Sequence, residues 1–187
     1  RFRLLWAGVW RVRGEYFYEA GCVEWEEVAF FVVDSLRQLS ANYVQQGELA
    51  NFRFQKDFMR PFEFIVKHHP SLAVRELVVR CCCQMVAAQA AKIKSGWKCI
   101  FGVFQSAGAE TEESVVELAF QTVSDLVSGV YGPPLPMLLD SFTEVVACRS
   151  EFACNAAFPD VSMEAIRLIR LCAKNVAENK ALFVEGG

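Results

Sequence analysis

Hydrophobic positions recur at intervals of three and four residues along the whole chain, and no stretch shows the clean alternation of a half-buried strand. The spacing predicts eight helices. Leu4 to Ala20 forms the first, rich in aromatics (Trp6, Trp10, Phe17, Tyr18) and ended by Gly21. Glu24, Glu26 and Glu27 open the second, where acids in the first turn complement the helix dipole. It carries Val28, Val32, Leu36 and Leu39 as far as Gly47. The third runs from Phe54 to the region of His68, His69 and Pro70, and Ser71 is placed to cap the fourth, with Val74, Leu77, Val78, Cys82, Met85 and Val86. Ser95 is expected to cap the fifth, through Trp97, Ile100, Phe101 and Phe104 to Gly108. Thr111, followed by Glu112 and Glu113, starts the sixth, with Val115, Leu118, Ala119, Val123, Leu126 and Val127. The run Gly132-Pro133-Pro134-Leu135-Pro136 is the clearest break. Beyond it a seventh helix carries Leu138, Phe142, Val145 and Val146. After a turn around Asn155 to Pro159, Asp160 is expected to cap the eighth. That helix should turn Met163, Ile166, Ile169, Ala173 and Val176 inward, with Arg167, Arg170 and Lys174 elsewhere.

Three of these helices share a pattern. Val28 to Leu36, Val74 to Cys82 and Val115 to Val123 are each apolar at offsets zero, four and eight. Their starts lie 46 and 41 residues apart, the period of a HEAT or armadillo unit. The expected fold class is therefore all-α, a HEAT/armadillo-like right-handed α-solenoid of about four helical hairpins. The hairpins are placed at approximately residues 1–47, 48–94, 95–132 and 133–187. The chain begins at Arg1 and ends on Gly186-Gly187, and it reads as a single segment excised from a larger protein. Apolar surface is expected where an end hairpin lacks its neighbour.

The stretch from Gly47 to Glu63 departs from an ordinary core helix. Phe52, Phe54, Phe58 and Phe62 lie within eleven residues, interleaved with Arg53, Lys56, Asp57 and Arg60. On a helix, Phe54, Phe58, Phe62 and Ile65 share one face, and Lys56, Arg60, Glu63 and Lys67 the other. Arg53 joins the charged side if the helix starts that early. Pro61 removes a backbone donor, so a kink is expected there, or a short turn before it.

With 187 residues, 53% of them hydrophobic, the chain is long enough for one sizeable core. A net charge of −3 argues against a general nucleic-acid binder. No apolar run approaches the ~20 residues that span a bilayer. Arg1, Arg3, Arg11 and Arg13 with Trp6 and Trp10 raise a membrane-surface helix, against which stands a core helix with a basic outer side, the favoured reading. Eight cysteines are present without C-x-x-C spacing, and Cys81 to Cys83 are consecutive in an apolar helix. They read as reduced, small core residues. His68 and His69 are the only histidines, beside Pro70 at a helix end, so neither a zinc site nor a Cys–His nucleophile is expected. There they should meet carbonyls or solvent. No phosphate-cradling loop is seen, and no cofactor is implied.

Several long strings carry a resemblance. They are the run from Gly47 to Glu63, Gln84 to Val86, Ala90 to Lys98, Val116 to Thr122, Ser150 to Asp160 and Ser162 to Arg170. Across nearly the whole chain they resemble the large brefeldin A-inhibited guanine-nucleotide exchange proteins, which activate Arf GTPases at the trans-Golgi. The match is to the first homology region downstream of the catalytic exchange domain. The family's catalytic motif, Phe-Arg-Leu-Pro-Gly-Glu, does not occur here. The resemblance implies a regulatory, non-catalytic module of such an exchange factor. Its role would be in autoinhibition and in recruitment by GTP-loaded Arf to the cytoplasmic side of the trans-Golgi membrane. The alternative is a passive spacer between the catalytic domain and later repeats. The implied partners are an Arf-family GTPase, GTP-bound, or the parent's own exchange domain. Arg53, Gln55, Lys56, Asp57 and Arg60 lie inside the strongest string and are the candidate partner-binding residues, with Asn155 added. Asn155 and Asp160 are read first as turn and cap residues.

Overall fold

The computed structural model describes residues 2–48, 53–131 and 138–178, with the side chains of residues 2–7, 11–13 and 175 left aside. Among the described residues the periodic segments are all helical and none is a strand. The helices are α1 (Phe2–Gly21), α2 (Glu26–Gln45), α3 (Gln55–His68), α4 (Leu72–Gln89), α5 (Trp97–Gly108), α6 (Glu113–Ser128), α7 (Phe142–Cys154) and α8 (Pro159–Glu178). Short 3₁₀ turns occupy Ala90–Lys92 and Leu139–Ser141. The predicted break at residues 132–136 lies outside the described residues.

Consecutive helices pair as α1–α2, α3–α4, α5–α6 and α7–α8. The odd helices then stack in order, α1 on α3, α3 on α5 and α5 on α7. The even helices do the same, α2 on α4, α4 on α6 and α6 on α8. The result is two layers of helices with one continuous core between them. Helix α4 touches α2, α3, α5 and α6, which is why Cys81, Cys82 and Cys83 are all buried although they point in different directions. At the shared offsets, Val32, Leu36, Val74, Val78, Cys82, Val115, Ala119 and Val123 are buried.

Val28 is the exception, being exposed. The buried residues of α2 are Ala29, Val32, Val33, Leu36, Ser40, Tyr43 and Val44, so the predicted face holds at Val32 and Leu36 and burial extends one residue round from it. Helix α8 is corrected in the same sense. It buries Ala165 and Leu168 and leaves Met163, Ile166 and Ala173 outside. Both are helices of end hairpins, apolar on more than one side, and the neighbour present selects which side faces in. The expected apolar ends are seen: Tyr16, Trp25 and Phe31 on the first hairpin, Met163 and Ile166 on the last.

Ser71 caps α4, its hydroxyl accepting the Val74 N–H at 3.4 Å. The other predicted caps are displaced. Gly96 takes the capping position of α5, because the Ser95 hydroxyl is turned to Glu48. Glu112, not Thr111, precedes α6. Pro159 begins α8, which places Asp160 inside the first turn, where its charge faces the dipole.

A charged helix face above an interlocked seam

Helix α3 is continuous through Pro61, so the predicted turn before it is absent. Proline leaves the carbonyl four residues earlier without its helical donor. That carbonyl belongs to Asp57, and the Trp10 indole N–H of α1 donates to it at 2.9 Å. Its neighbours are supplied too. Ser40 of α2 donates to the Phe58 carbonyl at 3.4 Å, and the Cys99 thiol of α5 contacts the Lys56 carbonyl at 3.6 Å. Trp10 is sandwiched by Phe17 and Phe58 at ring distances of 5.1 and 4.2 Å, and Tyr43 stacks on Phe58 at 4.1 Å. Trp10 is therefore a core residue, in line with the core-helix reading of α1. The basic residues of that helix, Arg1, Arg3, Arg11 and Arg13, with Trp6, lie outside the described side chains.

The buried face of α3 is the predicted one: Phe54, Phe58, Phe62 and Ile65. Its opposite side exposes Lys56, Asp57, Arg60 and Lys67, with Arg53 just ahead of the helix. Arg53 lies 3.9 Å from the Asp140 carboxylate, both well exposed, a pairing of little energetic consequence. Lys67 pairs with Glu63 at 2.6 Å. Lys56 and Arg60, one turn apart, make no side-chain ion pair or hydrogen bond among the described residues.

Gln55 does not share that exposure. It is only 1% exposed. Its side chain donates to the Lys92 carbonyl at 2.9 Å and accepts the Lys94 N–H at 2.7 Å. Beside it, Glu48 accepts the Gln55 N–H at 3.0 Å, the Ser95 N–H at 3.0 Å and the Ser95 hydroxyl at 2.5 Å. The Ser95 oxygen accepts the Lys56 N–H at 3.3 Å. This latch ties the connector before α3 to the connector before α5, and it fixes the first turn that carries Lys56. A buried carboxylate is tolerated because three donors surround it.

Asn155 is likewise engaged within the chain. Its amide donates to the carbonyls of Gly108 and Glu110 at 2.8 and 3.2 Å, and its oxygen accepts the Ala157 N–H at 3.0 Å. It is the last rung of a ladder across the opposite edge. Arg75 grips Glu110 with two nitrogens, at 2.6 and 3.2 Å, and donates to the carbonyls of His69 and Pro70 at 3.0 and 2.8 Å. The His69 ring meets the Val23 carbonyl at 3.1 Å. Val23, His69, Glu110 and Asn155 belong to the turns of the four hairpins, so the ladder joins all four.

Glu48, Arg75 and Glu110 were not singled out from sequence, and Ser95 was singled out only as a helix cap. Glu48 and Ser95 lie in two of the strings that carry the resemblance, which was the available signal.

Burial pushes the thiols of Cys81 and Cys83 up to about 11 and that of Cys99 up to about 12, the wrong direction for a thiolate. His69 Nδ1 accepts the Ser71 N–H at 3.0 Å, which leaves Nε2 to donate to Val23. His68 Nδ1 lies 2.8 Å from the Phe64 carbonyl. Among the described residues no group of three or more His, Cys, Asp or Glu is placed to hold a metal ion. No helix among them is long and apolar enough to cross a membrane. An open groove of about 610 Å³ between α4, α6 and α8 is lined by Arg80, Glu117, Leu118, Gln121 and Val161 among others, none of them a candidate residue.

Residues 42–125 match the family described as Mon2/Sec7/BIG1-like, HDS. That span holds the latch, the charged face and the Arg75–Glu110 pair. The chain is 57% identical over 185 residues to brefeldin A-inhibited guanine nucleotide-exchange protein 1 of Homo sapiens, covering 99% of this chain and 10% of that protein. The Mus musculus protein of that name gives the same figures. The Arabidopsis thaliana protein of that name is 38% identical over 187 residues, covering 100% of this chain and 11% of that protein. The chain thus spans about a tenth of the length of the curated relatives it matches.

Proposed function

The chain carries an HDS segment of the Mon2/Sec7/BIG1-like family, and from that premise we propose that it is a non-catalytic interaction module of a large Arf guanine-nucleotide exchange factor. In this reading it is a HEAT/armadillo-like right-handed solenoid with hairpins at about residues 1–47, 48–94, 95–132 and 133–187. It works at the cytoplasmic face of the trans-Golgi network as a peripheral component. The contact residues are Lys56 and Arg60, flanked by Arg53 and Asp57. One observation carries the assignment: Lys56 and Arg60, both exposed and with no side-chain ion pair or hydrogen bond among the described residues, stand one turn apart on a helix whose other side is fixed by three neighbouring helices. With the backbone beneath them fixed, only these two side chains have to be ordered when an acidic surface docks on them.

Mechanistically, the module binds one state of its partner more tightly than another. It holds the parent's exchange domain until GTP-loaded Arf competes or adds contacts. Gln55 and Glu48 serve as positioning residues, since they fix the backbone of the first turn of α3. The passive spacer is the second reading, and the ladder joining all four turns favours it, because a spacer needs stiffness.

Binding of the 187-residue chain to immobilised Arf separates the two. The interaction module binds the GTP-loaded form in preference to the GDP-loaded form, with affinity falling as salt rises. Equal or absent binding to both forms returns the chain to the spacer. A nucleotide-release assay on the same chain is expected to show no acceleration, and acceleration would refute the non-catalytic role.

A further inference from the structure

We propose, resting on the reading of Lys56 and Arg60 as contact residues, that the binding surface continues across the latch onto the connector between α4 and α5. There Lys92 and Lys94 form a second arm that engages further carboxylates of the same partner. The connector from Ala90 to Lys98 holds three lysines and no acid. Ile93, between the first two, is extended and only 2% exposed. Successive side chains of extended backbone point to opposite sides, so an inward Ile93 turns Lys92 and Lys94 outward together. Both are exposed, and neither makes a side-chain ion pair or hydrogen bond among the described residues.

The latch brings this arm to α3. Gln55 holds the Lys92 carbonyl at 2.9 Å and the Lys94 N–H at 2.7 Å, and the Lys56 N–H donates to the Ser95 hydroxyl at 3.3 Å. Lys98 continues the row into the first turn of α5, where the next residue, Cys99, contacts the Lys56 carbonyl at 3.6 Å. Charge is sorted along this edge. Arg53, Lys56, Arg60, Lys92, Lys94 and Lys98 are all exposed. The acids beside them are fewer: Asp57, Glu63, which pairs with Lys67, Asp140, 3.9 Å from Arg53, and Glu144, 3.3 Å from Lys98. Glu48 lies buried beneath and already accepts three donors. The whole chain carries a net charge of −3, so the cationic excess is a property of this edge and not of the composition. The cations are strung over two hairpins in a row, a layout that suits an acidic face of a folded partner. Both arms stand on backbone that the latch fixes, so docking has only side chains left to order.

The test measures binding to GTP-loaded Arf, across a salt series, of the unaltered 187-residue chain and three double reversals. These are Lys92→Glu with Lys94→Glu, Lys56→Glu with Arg60→Glu, and Arg167→Glu with Lys174→Glu. The last pair is exposed on α8, in the last hairpin, and changes the net charge by the same amount. The Lys92 and Lys94 reversal is expected to weaken binding about tenfold and to flatten its salt dependence, while the α8 reversal stays within about twofold of the unaltered chain. Unchanged binding on reversal of Lys92 and Lys94, beside a loss on reversal of Lys56 and Arg60, overturns the second arm and leaves the α3 contact standing. An equal loss in the α8 variant also overturns the arm, because net charge alone then accounts for the effect. No binding by the unaltered chain, or unchanged binding on reversal of Lys56 and Arg60, overturns the α3 contact on which the arm rests. If the Lys92 and Lys94 reversal does not melt cooperatively, Lys92→Gln with Lys94→Gln, which removes the charges alone, decides by the same comparison with an expected loss of about threefold.

Discussion

The middle and the end of the stack treat an arginine in opposite ways. In the α3–α4 hairpin, Arg75 is matched by both oxygens of Glu110 from the next hairpin and by two carbonyls of its own turn. In the α7–α8 hairpin, Arg149 is completely buried and two of its nitrogens have no hydrogen-bond partner among the described residues. The apolar faces follow the same division. Helix α3 buries every large apolar residue of its inner face and shows mainly charge outside, whereas α8 exposes Met163, Ile166 and Leu171. A stacked hairpin is completed by its neighbours on both sides. Its helices form from local pattern, but its polar groups and second apolar face are satisfied by the next unit.

The largest effect that would sharpen this contrast is alkaline. Cys81, Cys83 and Cys99 sit in the middle hairpins with thiols held up at about 11, 11 and 12. Below the ordinary thiol value of 9.0 both folded and unfolded chains keep these protons, and stability is intact. Above it the unfolded chain ionises first, so stability falls by up to about 1.4 kcal/mol per pH unit for each such thiol until the folded thiols titrate as well. Denaturant melts between about pH 8 and pH 10 measure this, and a flat profile would mean that these three thiols are not held dry.

Next come the apolar truncations. Phe58→Ala removes a buried ring that three other aromatics touch, and it should cost about 3–5 kcal/mol. Met163→Ala on the exposed side of α8 should stay within about 0.5 kcal/mol. Equal losses in urea melts would break the comparison. For the two arginines, Arg75→Met leaves Glu110 unpaired and two carbonyls without donors, at about 2 kcal/mol. Arg149→Met replaces an unmatched charge with an apolar chain and should lie within about 1 kcal/mol of the parent. A larger loss at Arg149 than at Arg75 would reverse the reading of both.

The middle was also the more legible part in sequence. The two faces of α3, the capping role of Ser71 and the shared offsets in α4 and α6 follow from spacing, because these helices have one apolar stripe or neighbours all round. The buried face of α8, and that of α2 at Val28, were misread for lack of such a constraint. Gln55 and Asn155 were grouped with the exposed charges because a polar residue in a distinctive string does not reveal which way it points. Their partners, Lys92 and Lys94 for one and Gly108 and Glu110 for the other, lie 37 to 47 residues away. No local pattern encodes those bonds. The latch from Glu48 to Ser95 was hidden for the same reason.

The smallest expected change in stability carries the largest consequence for function. Reversing Lys56 and Arg60 to glutamate alters two exposed side chains without an ion pair or hydrogen bond among the described residues, so the melt should shift by no more than about 0.5 kcal/mol per site. The decisive measurement is binding of this doubly reversed chain to GTP-loaded Arf, beside the unaltered chain and across a salt series. A folded variant with binding weakened at least tenfold and with a flatter salt dependence is the result that the charged-face assignment requires. A folded variant that binds as tightly as the parent would contradict it and reduce the stripe on α3 to a solvated surface.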